Sequence, residues 1–137
     1  MAEVSAALRR EVRARAGVRC EYCLMPAGLV LLVHQIDHII SLQHRGPTHS
    51  DNLALCCADC NGFKGPNLSS LDPGTDLLER LFHPRRDQWS AHFSLESDGW
   101  IRTKTAVGRV TEHVLRLNDP DRVEQRRGFL AAGLMGI

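Results

Sequence analysis

Apolar residues recur at helical spacing near the start of the chain. Val4, Leu8 and Val12 share one face, while Arg9, Arg10, Arg13 and Arg15 fall on others. This pattern predicts a helix over residues 3–16, stopped at Gly17. The run Leu29-Val30-Leu31-Leu32-Val33-His34-Gln35-Ile36 is aliphatic and β-branched and predicts a strand over 29–36. Segment 41–52 carries Gly46-Pro47-Thr48 and Ser50-Asp51-Asn52 and reads as a loop. Leu53 to Cys56 reads as a short returning strand. A short helix then starts near Cys57 and ends at Gly65-Pro66, where proline cannot continue it. Segment 67–84, with Asp72-Pro73-Gly74, reads mostly as connector. Trp89 to Phe93 and Trp100 to Lys104 flank Asp98-Gly99, a hairpin signal. Thr105 caps a helix from Ala106 to Leu117, with Val107, Val110, Val114 and Leu117 on one face. Asp119-Pro120 opens a last helix, with proline at its first position. The predicted class is α+β. A single domain over 1–137 is expected, with its core motif at 20–65 and a C-terminal extension at 82–133.

Composition narrows the class further. A chain of 137 residues with 5% aromatic content must build a modest, largely aliphatic core. Such cores often need a staple, and a structural metal is one. No apolar run approaches a membrane span. The start, Met1-Ala2-Glu3-Val4-Ser5, lacks the apolar core of a signal peptide. The expected location is therefore the reducing cytoplasm, where paired Cys-x-x-Cys motifs more often mean metal than disulfide. The net charge of +1 provides no global field toward nucleic acid. Of 17 basic residues only Lys64 and Lys104 are lysines. Arginine is the better bidentate phosphate partner, although a GC-rich genome produces the same enrichment. The arginines of the first helix can form a DNA-facing strip or simply a solvated face.

The chemistry concentrates between two cysteine pairs. Cys20-Glu21-Tyr22-Cys23 and Cys57-Ala58-Asp59-Cys60 have the spacing of a closed, structural zinc site. Cys56 lies in an apolar run and reads as a buried small hydrophobe, because Cys57 has the better spacing to Cys60. Between the pairs lies Asp37-His38, and Asn61 directly follows Cys60. Thiolates select zinc, whereas carboxylate and amide oxygens suit Mg²⁺ or Mn²⁺. Phosphodiester cleavage needs a base, a cation and a rigid frame. His38 can be the base, since neutral imidazole is available near pH 7. Asp37 and Asn61 can be two ligands to one catalytic divalent cation. The zinc would tie the loop at Cys20 to the helix carrying Asn61. Neighbours on a regular strand point to opposite faces, so a strand that twists or ends near Ile36 is expected if Asp37 and His38 are to serve one phosphate.

Asp37-His38-Ile39-Ile40, then Asp51-Asn52-Leu53, then Cys57-x-x-Cys60-Asn61-x-x-Lys64 resemble the HNH endonucleases of the ββα-metal class. The resemblance covers residues 20–65. It implies a DNA endonuclease with a zinc-stapled ββα-metal centre, in which His38 is the general base and Asp37 and Asn61 are the metal ligands. It also implies that Asn52 braces the loop carrying the histidine. Asparagine rather than histidine at position 61 makes this an HNN variant and favours Mg²⁺ or Mn²⁺ over zinc or nickel at the catalytic position.

Lys64 shares a helical face with Asn61 and can contact phosphate or pair with a carboxylate at the surface. His34 can assist the metal site or be a satisfied histidine; His44 reads as an exposed loop residue, and Arg45 can touch DNA. The stretch from His83 to Phe93 is similar to a tail of some small bacterial HNH proteins. There, Trp89 packing on the core beside exposed Arg85 and Arg86 is favoured over nucleic-acid contact. Two rival functions use the same cysteines. A non-catalytic zinc-ribbon module that binds nucleic acid has no need of Asp37, His38 or Asn61. A thiol redox protein would want a βαβ context around its motifs.

Overall fold

The structure is a computed structural model describing residues 3–136. It is α+β, and the described residues mix helices with three two-stranded antiparallel sheets. The chain divides into two compact units. One runs to Asn67 and includes His83–Arg86; the other comprises Leu68–Phe82 and the residues from Asp87 onward.

In the first unit, helix α1 spans Ala6–Arg15. It starts later than the apolar spacing suggests because the Ser5 hydroxyl accepts a hydrogen bond from the Leu8 amide at 3.1 Å. That cap sets the boundary. Val12 and Ala16 pack with Leu53 and Leu55, and Val4, Leu8 and Ile36 close over them. Arg15 ties the helix end down by donating to the carbonyls of Ser50 (3.0 Å) and Leu53 (2.8 Å). It therefore serves packing here, whereas Arg9 and Arg10 are exposed.

Strand β1 is Gln35–His38 and strand β2 is Leu53–Cys56. They pair from Gln35 opposite Cys56 to His38 opposite Leu53. The expected strand at 29–36 is corrected. Residues 29–34 form a loop in which Leu31 is 98% exposed. Four residues of β2 can pair only four of β1, so the aliphatic run before Gln35 has no ladder partner. Helix α2, Ala58–Lys64, follows β2 directly, with the Cys57 sulfur accepting from the Cys60 amide at 3.4 Å. The chain thus folds as strand, loop, strand, helix around the second cysteine pair.

In the second unit, the expected connector is instead a hairpin of β3 (Ser69–Leu71) and β4 (Leu78–Arg80). Its turn is organised by Asp72, whose side chain accepts from the Gly74 amide at 2.9 Å and from Arg109 Nη2 at 2.8 Å. Trp89–His92 is a short helix, α3, rather than a strand. The hairpin comes after it, as β5 (Phe93–Leu95) and β6 (Ile101–Thr103). Gly99 permits that turn: its φ is +88°, and a Cβ there would lie 2.3 Å from the Val123 carbonyl oxygen. Helix α4 is Ala106–Leu115, capped by Thr105 as its sequence suggests. It ends two residues early because Arg116 turns left-handed at φ 51°. Helix α5 is Pro120–Ala131, although the Asp119 side chain makes no capping bond. The fully buried Arg126 donates to the carbonyls of Gly99 (2.7 Å) and Leu117 (2.6 Å). No helix of the described residues is long and apolar enough to cross a membrane.

Candidate active site and metal centre

The sulfurs of Cys20, Cys23, Cys57 and Cys60 all lie within 4.8 Å of one another and are buried. Cys23 and Cys57 are 3.6 Å apart at sulfur. A tetrahedron with Zn–S bonds of about 2.3 Å has edges of about 3.8 Å. The cluster therefore fits one zinc. Amides point at the sulfurs as thiolates require: Tyr22 and Cys23 donate to Cys20 at 3.4 and 3.5 Å. Burial pushes the Cys20 and Cys60 thiols well up, and sulfur neighbours push Cys57 up. Four crowded sulfurs resist ionising without a cation among them. Cys56 is buried, outside the four, and its thiol is also raised.

Asp37 lies near the end of β1 and is 6% exposed. Both its oxygens are occupied. Tyr22 donates its phenolic O–H to Oδ2 at 2.8 Å, and Lys64 Nζ lies 3.3 Å from Oδ1 and from Oδ2. Burial raises the Asp37 carboxyl despite the opposing pull of Lys64 and Tyr22. Burial and the Asp37 charge push the Tyr22 phenol well up, so it remains a donor. Lys64 is 1% exposed and also donates to the His38 carbonyl at 3.3 Å. It is a buried counter-ion that pins α2 against β1, and not a surface lysine.

His38 is half-buried, and its Nε2 is 2.9 Å from Thr48 Oγ1. Strand β1 continues through His38 and does not end near Ile36. Asp37 and His38 consequently take different partners, one toward the zinc knuckle and α2, the other toward the 46–48 loop. Asn52 is buried and makes three side-chain bonds of 2.9 Å. It accepts from the Ile40 amide and donates to the carbonyls of Ile40 and Pro47. Gly46 must be glycine for this loop to close, since a Cβ would lie 1.7 Å from the Ile40 carbonyl oxygen. Asn61, half-buried on α2, lies one turn before Lys64. Its side chain makes no hydrogen bond among the described residues, so its amide oxygen stays available to a ligand.

The other candidates are mostly structural. His34 is buried, and its Nε2 donates to the Met25 carbonyl at 2.8 Å. Arg85 is largely buried and ion-paired with Glu21, whose other oxygen accepts from the Leu55 amide at 2.8 Å. The expectation of an exposed Arg85 is therefore corrected: Glu21 draws it in. Trp89 stacks obliquely on Phe93, with centroids 5.1 Å apart. His44 and Arg45 are exposed.

Two residues escaped sequence reasoning, Tyr22 and Thr48. Tyr22 is the chain's one tyrosine and lies inside the first cysteine pair. That position was the available signal. Thr48 had none beyond following Gly46-Pro47.

Asp37 and Asn61 carry side-chain oxygens, the donor type that hard divalent cations take. No curated protein and no solved structure matches the chain. The segment holding the four clustered cysteines together with Asp37, His38, Asn52, Asn61 and Lys64 is matched, over residues 20–67, by the model of the HNH endonuclease family.

Proposed function

We propose that the chain is an endonuclease that hydrolyses phosphodiester bonds in DNA, with His38 as general base. The reading is supported above all by Lys64, which bonds both the Asp37 carboxylate and the His38 carbonyl. It thereby brings the helix carrying Asn61 against the strand carrying the base. In this reading the zinc held by Cys20, Cys23, Cys57 and Cys60 is structural, since four thiolates leave no open position. Asp37 and Asn61 would hold Mg²⁺ or Mn²⁺, which would supply charge neutralisation to the phosphate and the leaving oxygen. His38 takes a proton from the attacking water. Asn52 keeps the loop beside His38 closed, and Tyr22 fixes the Asp37 rotamer. Lys64 holds the Asp37 carboxylate and the His38 carbonyl in place. The products carry 5′-phosphate and 3′-hydroxyl ends. Four thiolates suit a reducing, cytoplasmic compartment.

One observation favours a second reading, a non-catalytic zinc-ribbon module that binds nucleic acid. Both oxygens of Asp37 already have protein partners. Incubation with supercoiled plasmid in Mg²⁺, in Mn²⁺ and in chelator separates the two. A nuclease nicks with metal, stops with chelator, and loses activity in His38→Ala while keeping its fold. DNA binding without metal-dependent nicking defeats the enzyme reading.

A further inference from the structure

We propose that Thr48 is the positioning residue for His38. Its hydroxyl accepts the Nε2–H of the imidazole and so leaves the lone pair on Nδ1, the nitrogen that takes the proton from water. This rests on the reading of His38 as general base.

His38 Nε2 and Thr48 Oγ1 are 2.9 Å apart, a full hydrogen bond. Neutral imidazole has one donor and one acceptor nitrogen, so the direction of this bond decides the tautomer. If Thr48 donated, Nε2 would be blocked by the hydroxyl and Nδ1 would carry the proton. Neither nitrogen could then act as a base. If Nε2–H donates, Nδ1 is the free acceptor, and among the described residues it makes no other hydrogen bond. The second arrangement also survives the reaction. Once Nδ1 has taken the proton, the imidazolium still donates Nε2–H to the same oxygen, so nothing reorients during transfer.

The hydroxyl is held in place from behind. The carbonyl of Pro47, the residue before Thr48, accepts from Asn52 Nδ2 at 2.9 Å. The same amide donates to Ile40, two residues beyond His38, at 2.9 Å. Gly46 packs against that same Ile40 carbonyl, where no side chain fits. Asn52 thus clamps the loop to the strand, and Thr48 carries the clamp to the imidazole.

The test uses the full zinc-loaded chain, with Thr48→Val to remove the hydroxyl and Thr48→Ser to keep it. Two readouts are taken: ¹⁵N NMR of the neutral His38 ring, and the split between kcat and KM in metal-dependent plasmid nicking. Wild type is expected to show the Nε2–H tautomer. Thr48→Val is expected to show a mixture, and a kcat lower by about tenfold or more with KM for plasmid little changed. Thr48→Ser should recover most of both. An Nδ1–H tautomer in wild type overturns the proposal. So does a Thr48→Val variant with wild-type tautomer and kcat, or a serine variant as impaired as the valine one. If His38→Ala cuts like wild type, the general-base reading is what fails. The NMR comparison then still decides whether Thr48 holds the ring.

Discussion

Replacing Asn52 by alanine removes three hydrogen bonds at once. The side chain joins the Ile40 amide, the Ile40 carbonyl and the Pro47 carbonyl, each at 2.9 Å, from a position only 5% exposed. A net contribution of about 1 kcal/mol per bond gives a loss of about 3 kcal/mol. Water cannot readily substitute, because Gly46 already lies against the same carbonyl. The backbone bonds of this region, Ile39 N–H to Asn52 (2.8 Å) and Asn52 N–H to His49 (2.8 Å), should persist. The damage should therefore fall on the 40–47 loop rather than on the strand pair. Urea unfolding of the zinc-loaded protein measures the loss, and plasmid nicking measures its effect on His38. Asn52→Asp is the sharper partner variant. It keeps the acceptor for Ile40 N–H but points an oxygen at two carbonyls, and should be at least as unstable at neutral pH. If Asn52→Ala stays within about 0.5 kcal/mol of wild type, an ordinary surface change, the three bonds do not clamp the loop and its link to His38 is refuted.

Three further outcomes are expected. Elemental analysis should find one zinc per chain. Strong chelation or Cys60→Ser should release it and abolish cooperative unfolding of the unit holding residues 20–67; unchanged unfolding without zinc would refute the staple. Lys64→Met should cost about 3–5 kcal/mol, because it leaves the buried Asp37 carboxylate without its counter-ion. Adding Asp37→Asn should restore much of that, and a double variant as unstable as Lys64→Met would show the two are not coupled. Arg109, with help from the Gly74 amide, holds the Asp72 carboxyl down at about 2. Its folded value lies below the ordinary carboxylate range, so its stabilisation is full above about pH 4 and is lost as pH falls from about 4 to 2. Asp72→Asn should flatten that part of the stability profile, and an identical acid limb in both proteins would contradict the pairing.

The centre of this protein was legible because its signals are local. Two Cys-x-x-Cys pairs specify a four-sulfur cluster by spacing alone, and the structure brings those four sulfurs together. Cys57 as the start of a short helix, Gly65 as its end and Thr105 as a cap follow from residue chemistry at single positions. The α+β class follows from their order. Strand limits were not local. The aliphatic run 29–34 has strand character, yet it lies in a loop because β2 has only four residues with which to pair. The hairpin at 69–80 was hidden because its turn depends on Arg109, 37 positions beyond Asp72. Likewise, nothing in the chain's order announces that Lys64 is buried on Asp37, that Tyr22 reaches the same carboxylate, or that Thr48 meets His38. Those are contacts between residues 10 to 27 positions apart. The sequence determined which donors the site has, because spacing and residue chemistry are properties of a short stretch of chain. Only the tertiary structure decided which partner each donor meets, because burial and hydrogen-bond geometry depend on segments that come together only on folding.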